Sequence, residues 1–373
     1  MQYTLRCLKC RESIPTDSWV WRHDICGAPL TIEYRYQENF ENLVDPSASG
    51  LLVFHKLLPI SRPTYYPPLT AGNTPVVKRF IEGVEVVFKL EYLNPAGSFK
   101  DRGAYVAIGR ARELGLKSII IDSSGNSGIA HALFGRVSGI NVHIYVPDYT
   151  PEGKRSLLEL LGANLHIVPG DRMEVNRAAL LGEKRGLGAY VGHWWNPYFI
   201  EGVKTISFET HIKVGQVDSV IALTGSGTLL LGLAKGYKEL KTLGEIDEVP
   251  RLIAVQACGY AELCSKIKPV KCDARTELAD GIMIKHPPRI EELIEAVKTS
   301  NGDCIIVEDN EIIAALKQLL KMGFIVEPTS AAALAAFKKA VKEGIIEKGE
   351  KTLLPLTGTG FKMVKKLKSI VTK

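Results

Sequence analysis

The chain has 373 residues, 46% apolar and 24% charged, with a formal net charge of +6. This is ordinary globular composition, long enough for two domains and a large core; it excludes a disordered or fibrous chain. Acids and lysines are interleaved, so no basic stripe points to a nucleic-acid partner, and no apolar run reaches the ~18 residues of a membrane span.

Residues 1–40 carry Cys7-Leu-Lys-Cys10 and then His23-Asp-Ile-Cys26. Two ligand pairs, each with two residues between, are how a zinc ribbon presents four ligands from two tight turns. The competing reading is a small β-ribbon without metal that packs through Trp19 and Trp21. MQYTLRCLKC lacks an apolar signal core, so a cytoplasmic location is expected. The other four cysteines, Cys258, Cys264, Cys272 and Cys304, are then expected as reduced, packed thiols.

Residues 40–75 are proline-rich and read as an ordered loop ending in Gly72-Asn73-Thr74-Pro75. A strand over 84–93 delivers a polar turn, Asn94-Pro-Ala-Gly-Ser-Phe-Lys100, and a helix follows. Such a turn leaves backbone N–H groups free at the helix start. A lysine held there in largely apolar surroundings can lose its proton and become a nucleophile.

From residue 104 the pattern alternates. Helices over 104–114, 128–138, 151–161 and 173–185 are interleaved with strands over 118–124, 141–147, 165–170 and 189–193. The second half repeats it, with strands at 219–225, 252–257, 304–309 and 352–358 and helices at 228–242 and 309–321. The strands are near-continuous apolar runs, so the fold class is α/β with parallel sheets covered on both faces. Two lobes with the ligand at the carboxyl ends of the strands is the economical architecture.

Three loops at strand ends stand out. Ser123-Ser-Gly-Asn126-Ser-Gly128 can bring backbone close to an anion at a helix start. Thr224-Gly-Ser-Gly-Thr228 lacks the G-x-G-x-x-G spacing of a dinucleotide site and suits a single phosphate group. Thr357-Gly-Thr-Gly-Phe-Lys362 closes the last strand.

The stretch EYLNPAGSFKDRG (91–103) resembles the lysine motif of the fold-type II pyridoxal-phosphate enzymes, and within them that of the threonine synthase family. GNTP (72–75), the three loops above and a cysteine-bearing ribbon with Gly27-Ala-Pro-Leu30 and Tyr34 agree in order. The resemblance implies pyridoxal 5′-phosphate as cofactor, linked as a Schiff base through Lys100, which is then freed to remove the substrate's α-proton. It implies that Asn126 serves the cofactor's 3′-oxygen and that Thr224, Gly225, Ser226, Gly227 and Thr228 hold its phosphate. Thr357 would reach the pyridine nitrogen, and this neutral partner favours elimination over transamination. Ser123, Ser124, Gly125 and Ser127 would hold the substrate carboxylate. The implied lobes are a large cofactor-binding one (41–103 with 200–373) and a smaller one (104–199), with a homodimer as the assembly.

One element departs from the family. In Asn196-Pro-Tyr-Phe-Ile-Glu-Gly-Val-Lys204-Thr205, Phe199 stands where a phosphate-binding arginine is expected, and His193, Trp194 and Trp195 precede it. Losing a guanidinium removes a charge-assisted contact, which leaves Lys154, Arg155 or Lys204 for that work. His193 is either a proton-transfer group or a packed histidine. Ala279-Asp-Gly-Ile282 resembles the serine and threonine dehydratases. The expected activity is a lyase acting on an amino acid, O-phosphohomoserine plus water giving threonine plus phosphate. The alternatives are β-replacement of the cysteine or cysteate synthase type on O-phosphoserine or O-acetylserine, and deamination of serine or threonine.

Overall fold

The computed structural model describes residues 2–272 and 275–372. Along the chain run β1 (Gln2–Cys7), β2 (Ser13–Ile14), β3 (Leu30–Arg35), α1 (Phe40–Leu43), β4 (Val76–Ile81), β5 (Val84–Lys89), α2 (Lys100–Glu113), β6 (Ser118–Ile121), α3 (Asn126–Val137) and β7 (Asn141–Pro147). Next come α4 (Glu152–Leu160), β8 (Asn164–Val168), α5 (Arg172–Lys184), β9 (Ala189–Tyr190), α6 (Pro197–Val214), β10 (Ser219–Leu223), α7 (Thr228–Thr242), β11 (Arg251–Ala257) and α8 (Glu262–Ile267). The last are α9 (Ile290–Thr299), β12 (Asp303–Val307), α10 (Asp309–Lys321), α11 (Pro328–Lys342), β13 (Lys351–Pro355) and α12 (Val364–Val371). By internal contacts the chain forms two compact units, Met1–Asn73 with Lys100–Thr205, and Thr74–Phe99 with Ile206–Lys373.

The first unit holds an antiparallel ribbon, β2-β1-β3, and a parallel sheet ordered β8-β7-β6-β9. Strand β6 is SIII; its three isoleucines are fully buried, as a strand covered on both faces requires. The ribbon is anchored through its tryptophans. Trp21 is buried in a cluster with Ile120, Tyr145, Val175, Ala179 and Tyr190, and the Trp19 indole N–H donates to the Tyr190 carbonyl at 2.9 Å. Residues 41–73 group with this unit, whereas the sequence places them with the other lobe. Their attachment is to α2: Tyr66 stacks on Tyr105 at 5.2 Å, the Ser61 N–H donates to Glu113 at 2.7 Å, and Arg112 donates to the Tyr65 carbonyl at 3.0 Å.

The second unit is built on a six-stranded sheet ordered β12-β11-β10-β13-β5-β4. Five strands are parallel, and β4 is antiparallel to β5 at the edge. The β4–β5 hairpin is missing from the sequence reading. Its two-residue turn, Glu82-Gly83, has φ of 54° and 85°, the paired positive values of a tight hairpin turn. The alanine-rich α11 is almost wholly buried, its small side chains letting the helix sit close to the sheet.

One expectation fails here. Cys258 is bridged to Cys272 and Cys264 to Cys304, with Cα separations of 5.5 and 5.2 Å, inside the range a disulfide allows. The free cysteines among the described residues are Cys7, Cys10 and Cys26. No helix of the described residues is long and apolar enough to cross a membrane.

Candidate active site

In the second unit, β5 ends at Lys89, a 3₁₀ turn covers Glu91–Leu93, and the lysine turn follows. That turn is laced to the end of β13. The Tyr92 N–H donates to the Leu356 carbonyl at 2.9 Å, the Phe99 N–H to the Thr357 carbonyl at 3.0 Å, and the Thr359 N–H to the Gly97 carbonyl at 3.0 Å. Lys362 donates to the Ala96 carbonyl at 3.1 Å.

A buried charge cluster sits under the same turn. Lys89 is fully buried and donates to Glu209 at 2.8 Å, to the Thr74 carbonyl at 2.9 Å and to the Thr74 hydroxyl. Its ammonium lies 3.5 Å from Glu91. Glu91 accepts from the Thr74 hydroxyl at 2.7 Å and from the Asn94 amide at 3.1 Å. One lysine thus joins the GNTP loop, the lysine turn and α6. Sequence reasoning missed it, because Lys89 reads as an ordinary strand residue and Glu209 is 120 positions away.

The Thr224–Thr228 loop runs from β10 into α7. Gly227 has φ of 88°, a left-handed conformation at the N-cap of α7 that glycine adopts without strain. A Cβ on Gly225 would collide with the Gly281 carbonyl, so the backbone passes where no side chain fits. The Ser226 and Thr228 hydroxyls are 3.5 Å apart, and a loop of this shape at a helix N-terminus suits an anion the size of one phosphate. Thr357 is 3% exposed. Its hydroxyl lies 3.0 Å from Ser330, which also accepts from the Gly358 N–H at 2.8 Å. Ser330 therefore orients Thr357; the sequence offers only a small residue inside a helix start.

In the first unit, Lys100 is the first residue of α2. Its ammonium stands 5.5 Å from the centre of the Phe199 ring. Phe199 is fully buried and stacks parallel to His131 at 5.9 Å; His193 packs against it at 5.6 Å. Burial, joined by the charge of Lys100, pulls His131 down to about 4. Burial first, then the charges of Lys100 and Arg172, hold His193 well below the usual imidazole range. Both rings are neutral near pH 7. The Nδ1 of His131 donates to the Ser127 carbonyl at 2.8 Å, which leaves Nε2 as an acceptor.

Among the buried polar atoms of this unit without a hydrogen-bond partner are Ser127 Oγ, His131 Nε2 and His193 Nδ1. Buried polar atoms are seldom left so, and a polar ligand would satisfy them. The loop bearing Ser127 is tight. A Cβ on Gly128 would strike the Ser123 carbonyl, and the Gly125 N–H donates to Ser123 Oγ at 3.4 Å. Asn126 is the first residue of α3, and Ser123 and Ser127 are buried.

The remaining predicted residues separate. Lys204 is fully buried, pairs with Glu201 at 2.6 Å and lies over the Tyr34 ring at 4.0 Å; the Tyr34 hydroxyl donates to the same carboxylate at 2.6 Å. Asn196 is buried, and its side-chain oxygen accepts from the Tyr198 N–H at 3.0 Å at the start of α6. Lys154 is on α4. A cation not foreseen is Arg172, at the start of α5. It stacks on Trp194 at 5.0 Å and donates to the Asp122 carbonyl at 3.3 Å, next to the Ser123 loop.

Cys7, Cys10, His23 and Cys26 come together, with their ligand atoms all within 4.8 Å of one another. Cys7 and Cys26 sulfurs are 3.6 Å apart, and His23 Nδ1 is 3.0 Å from Cys26 and 4.0 Å from Cys10. His23 Nε2 lies 3.1 Å from Glu12, the carboxylate support that a ligating imidazole takes on its far nitrogen.

Residues 68–358 match the family model described as pyridoxal-phosphate dependent enzyme. The chain is 31% identical to the threonine synthase of Methanosarcina acetivorans over 95% of its own length and 91% of that protein. It is likewise 31% identical to the threonine synthase of Methanocaldococcus jannaschii, over 96% and 92%. The solved structure of processed threonine deaminase isoform 2 from Solanum lycopersicum superposes with a TM-score of 0.68 at 25% identity, covering 81% of this chain and 89% of that one. The chain belongs to the pyridoxal-phosphate dependent enzymes, among their threonine-synthase-like members.

Proposed function

We propose that the protein is a threonine synthase, converting O-phosphohomoserine and water into threonine and phosphate. The observation that carries the reading is Lys100 at the head of α2, on a turn laced to Thr357–Thr359, in a chain alike to threonine synthases over nearly its whole length. Lys100 would hold pyridoxal phosphate covalently, Asn126 would serve its 3′-oxygen, Thr224–Thr228 its phosphate, and Thr357, set by Ser330, its ring nitrogen. The cofactor, when bound, supplies an electron sink for charge left at the substrate's α-carbon. The Lys100 amine takes the α-proton. The Phe199 ring, stacked on His131, borders that amine at 5.5 Å. Ser127 and the N–H groups at the start of α3 orient the substrate carboxylate.

Phe199 favours a second reading. The position expected to carry a phosphate-binding guanidinium is apolar and buried, and Lys204 is already paired. A substrate without a phosphate leaving group, in β-replacement on O-acetylserine or in serine or threonine deamination, makes no such demand; β-replacement on O-phosphoserine would need the same phosphate contact. Incubation of the holoenzyme with phosphohomoserine, phosphoserine, O-acetylserine with sulfide, and threonine separates them. Threonine with one equivalent of phosphate from the first alone is expected; turnover only on another substrate moves the assignment there.

We infer further that Cys7, Cys10, His23 and Cys26 bind zinc. A tetrahedral site with Zn–S ~2.3 Å and Zn–N ~2.0 Å has ligand–ligand edges of about 3.5–3.8 Å, close to the separations found. A homodimer and a cytoplasmic location complete the proposal.

A further inference from the structure

Helix α2 begins at Lys100 and ends at Glu113, about 20 Å further along at 1.5 Å per residue. At that far end lies a cavity of about 500 Å³ within the first unit, in the ~300–1,000 Å³ range of small-molecule sites. Arg110 and Glu113 of α2 line it together with Arg35 and Lys56. Glu113 is fully engaged, accepting from the Ser61 N–H and from Arg110. Arg110 is 4% exposed. One of its terminal nitrogens meets Glu113 and the other the Thr16 carbonyl, while Nε is buried with no hydrogen-bond partner.

The guanidinium also lies over the Tyr198 ring at 5.4 Å; a buried N–H left without an acceptor costs free energy, which an anion in the cavity would recover where it reaches Arg110. The Arg110–Glu113 charges cancel. Arg35 and Lys56 then outnumber the other lining carboxylate, Glu38, so the mouth is positive. Leu43, Leu58 and Ile60 form an apolar wall.

We propose that this cavity is a second ligand site, taking a small organic carboxylate or phosphate with an apolar portion. The acid group faces the arginines and the apolar part rests on the leucine and isoleucine wall. Occupancy ties the ribbon end at Arg35 to the last turn of the helix that starts at Lys100. The proposal does not depend on which reaction the enzyme performs.

Isothermal titration of the holoenzyme with phenyl phosphate, phenylacetate and inorganic phosphate tests it, and the tighter of the first two identifies the acid group. The expected result is saturable binding of an aromatic acid, weaker for inorganic phosphate. It should fall tenfold or more in Arg110→Met and in the Arg35→Ala/Lys56→Ala double variant. The double variant changes exposed residues only, so its fold and turnover are retained even if Arg110→Met is unstable. Equal binding by wild type and double variant, or none at ~10 mM, overturns the proposal.

Discussion

His131 shows what one buried side chain imposes on the molecule. It is fully buried and its pKa is drawn down from 6.5 to about 4, by burial first and by Lys100. An unfolded chain therefore binds a proton here that the folded one refuses across that window. The sign follows: stability is complete above about pH 6.5 and falls by about 1.4 kcal/mol per pH unit from this group as pH drops toward 4. Urea midpoints between pH 7.5 and 4.5 should show the decline, and His131→Asn should flatten it. An unchanged slope would remove His131 as its source. Phe199 makes the complementary point about reading residues. Its departure from the family pattern is visible in the sequence. That it would pack between two imidazoles, 5.5 Å from the Lys100 ammonium, is not, because those partners lie on α3 and in the segment before α6.

At the scale of the element, the lysine turn owes its shape to two kinds of contact. Its own residues, Asn94 to Lys100, announce a turn into a helix, and helix and strand positions downstream follow from periodicity. The 228–242 and 309–321 helices fall where apolar spacing puts them. What supports the turn is non-local: the Leu356 and Thr357 carbonyls just past β13, and the Lys89 cluster with Glu209. Charge in a strand interior gives no hint of its partner, so that support was illegible. Removing Lys89 strands two buried carboxylates, Glu91 and Glu209, at a cost of about 3–5 kcal/mol or more, whereas neutralising all three groups together costs far less. Lys89→Met should lower the unfolding free energy by that amount and weaken retention of the cofactor. Lys89→Met/Glu91→Gln/Glu209→Gln should restore part of the stability. Equal losses in the single and triple variants would show that the charges of the cluster carry little.

At the scale of the whole molecule, the disulfides and the proposed metal site bear on separate regions. The two disulfides lie in the second unit. Four cysteines at irregular spacing do not disclose pairing, since contact depends on where β11, α8 and β12 bring them. The Cys/His cluster was legible because its ligands arrive as two close pairs. Metal analysis of the purified chain should give about one zinc per chain, and Cys10→Ala should lose it with a drop in melting temperature. A zinc-free wild type that stays folded and active after zinc addition and dialysis would refute the site.

The anchoring of the ribbon by its tryptophans has a practical corollary for anyone who unfolds this protein. The sequence has four tryptophans: Trp19 and Trp21 in the ribbon, and Trp194 and Trp195 just before α6. All four fall within the first compact unit. Intrinsic tryptophan emission therefore watches one half of the chain, while far-ultraviolet circular dichroism watches both. Coincident melting curves from the two probes would mean the halves unfold as one cooperative block. A circular dichroism transition that outlasts the fluorescence change would reveal a second unit standing after the first has gone.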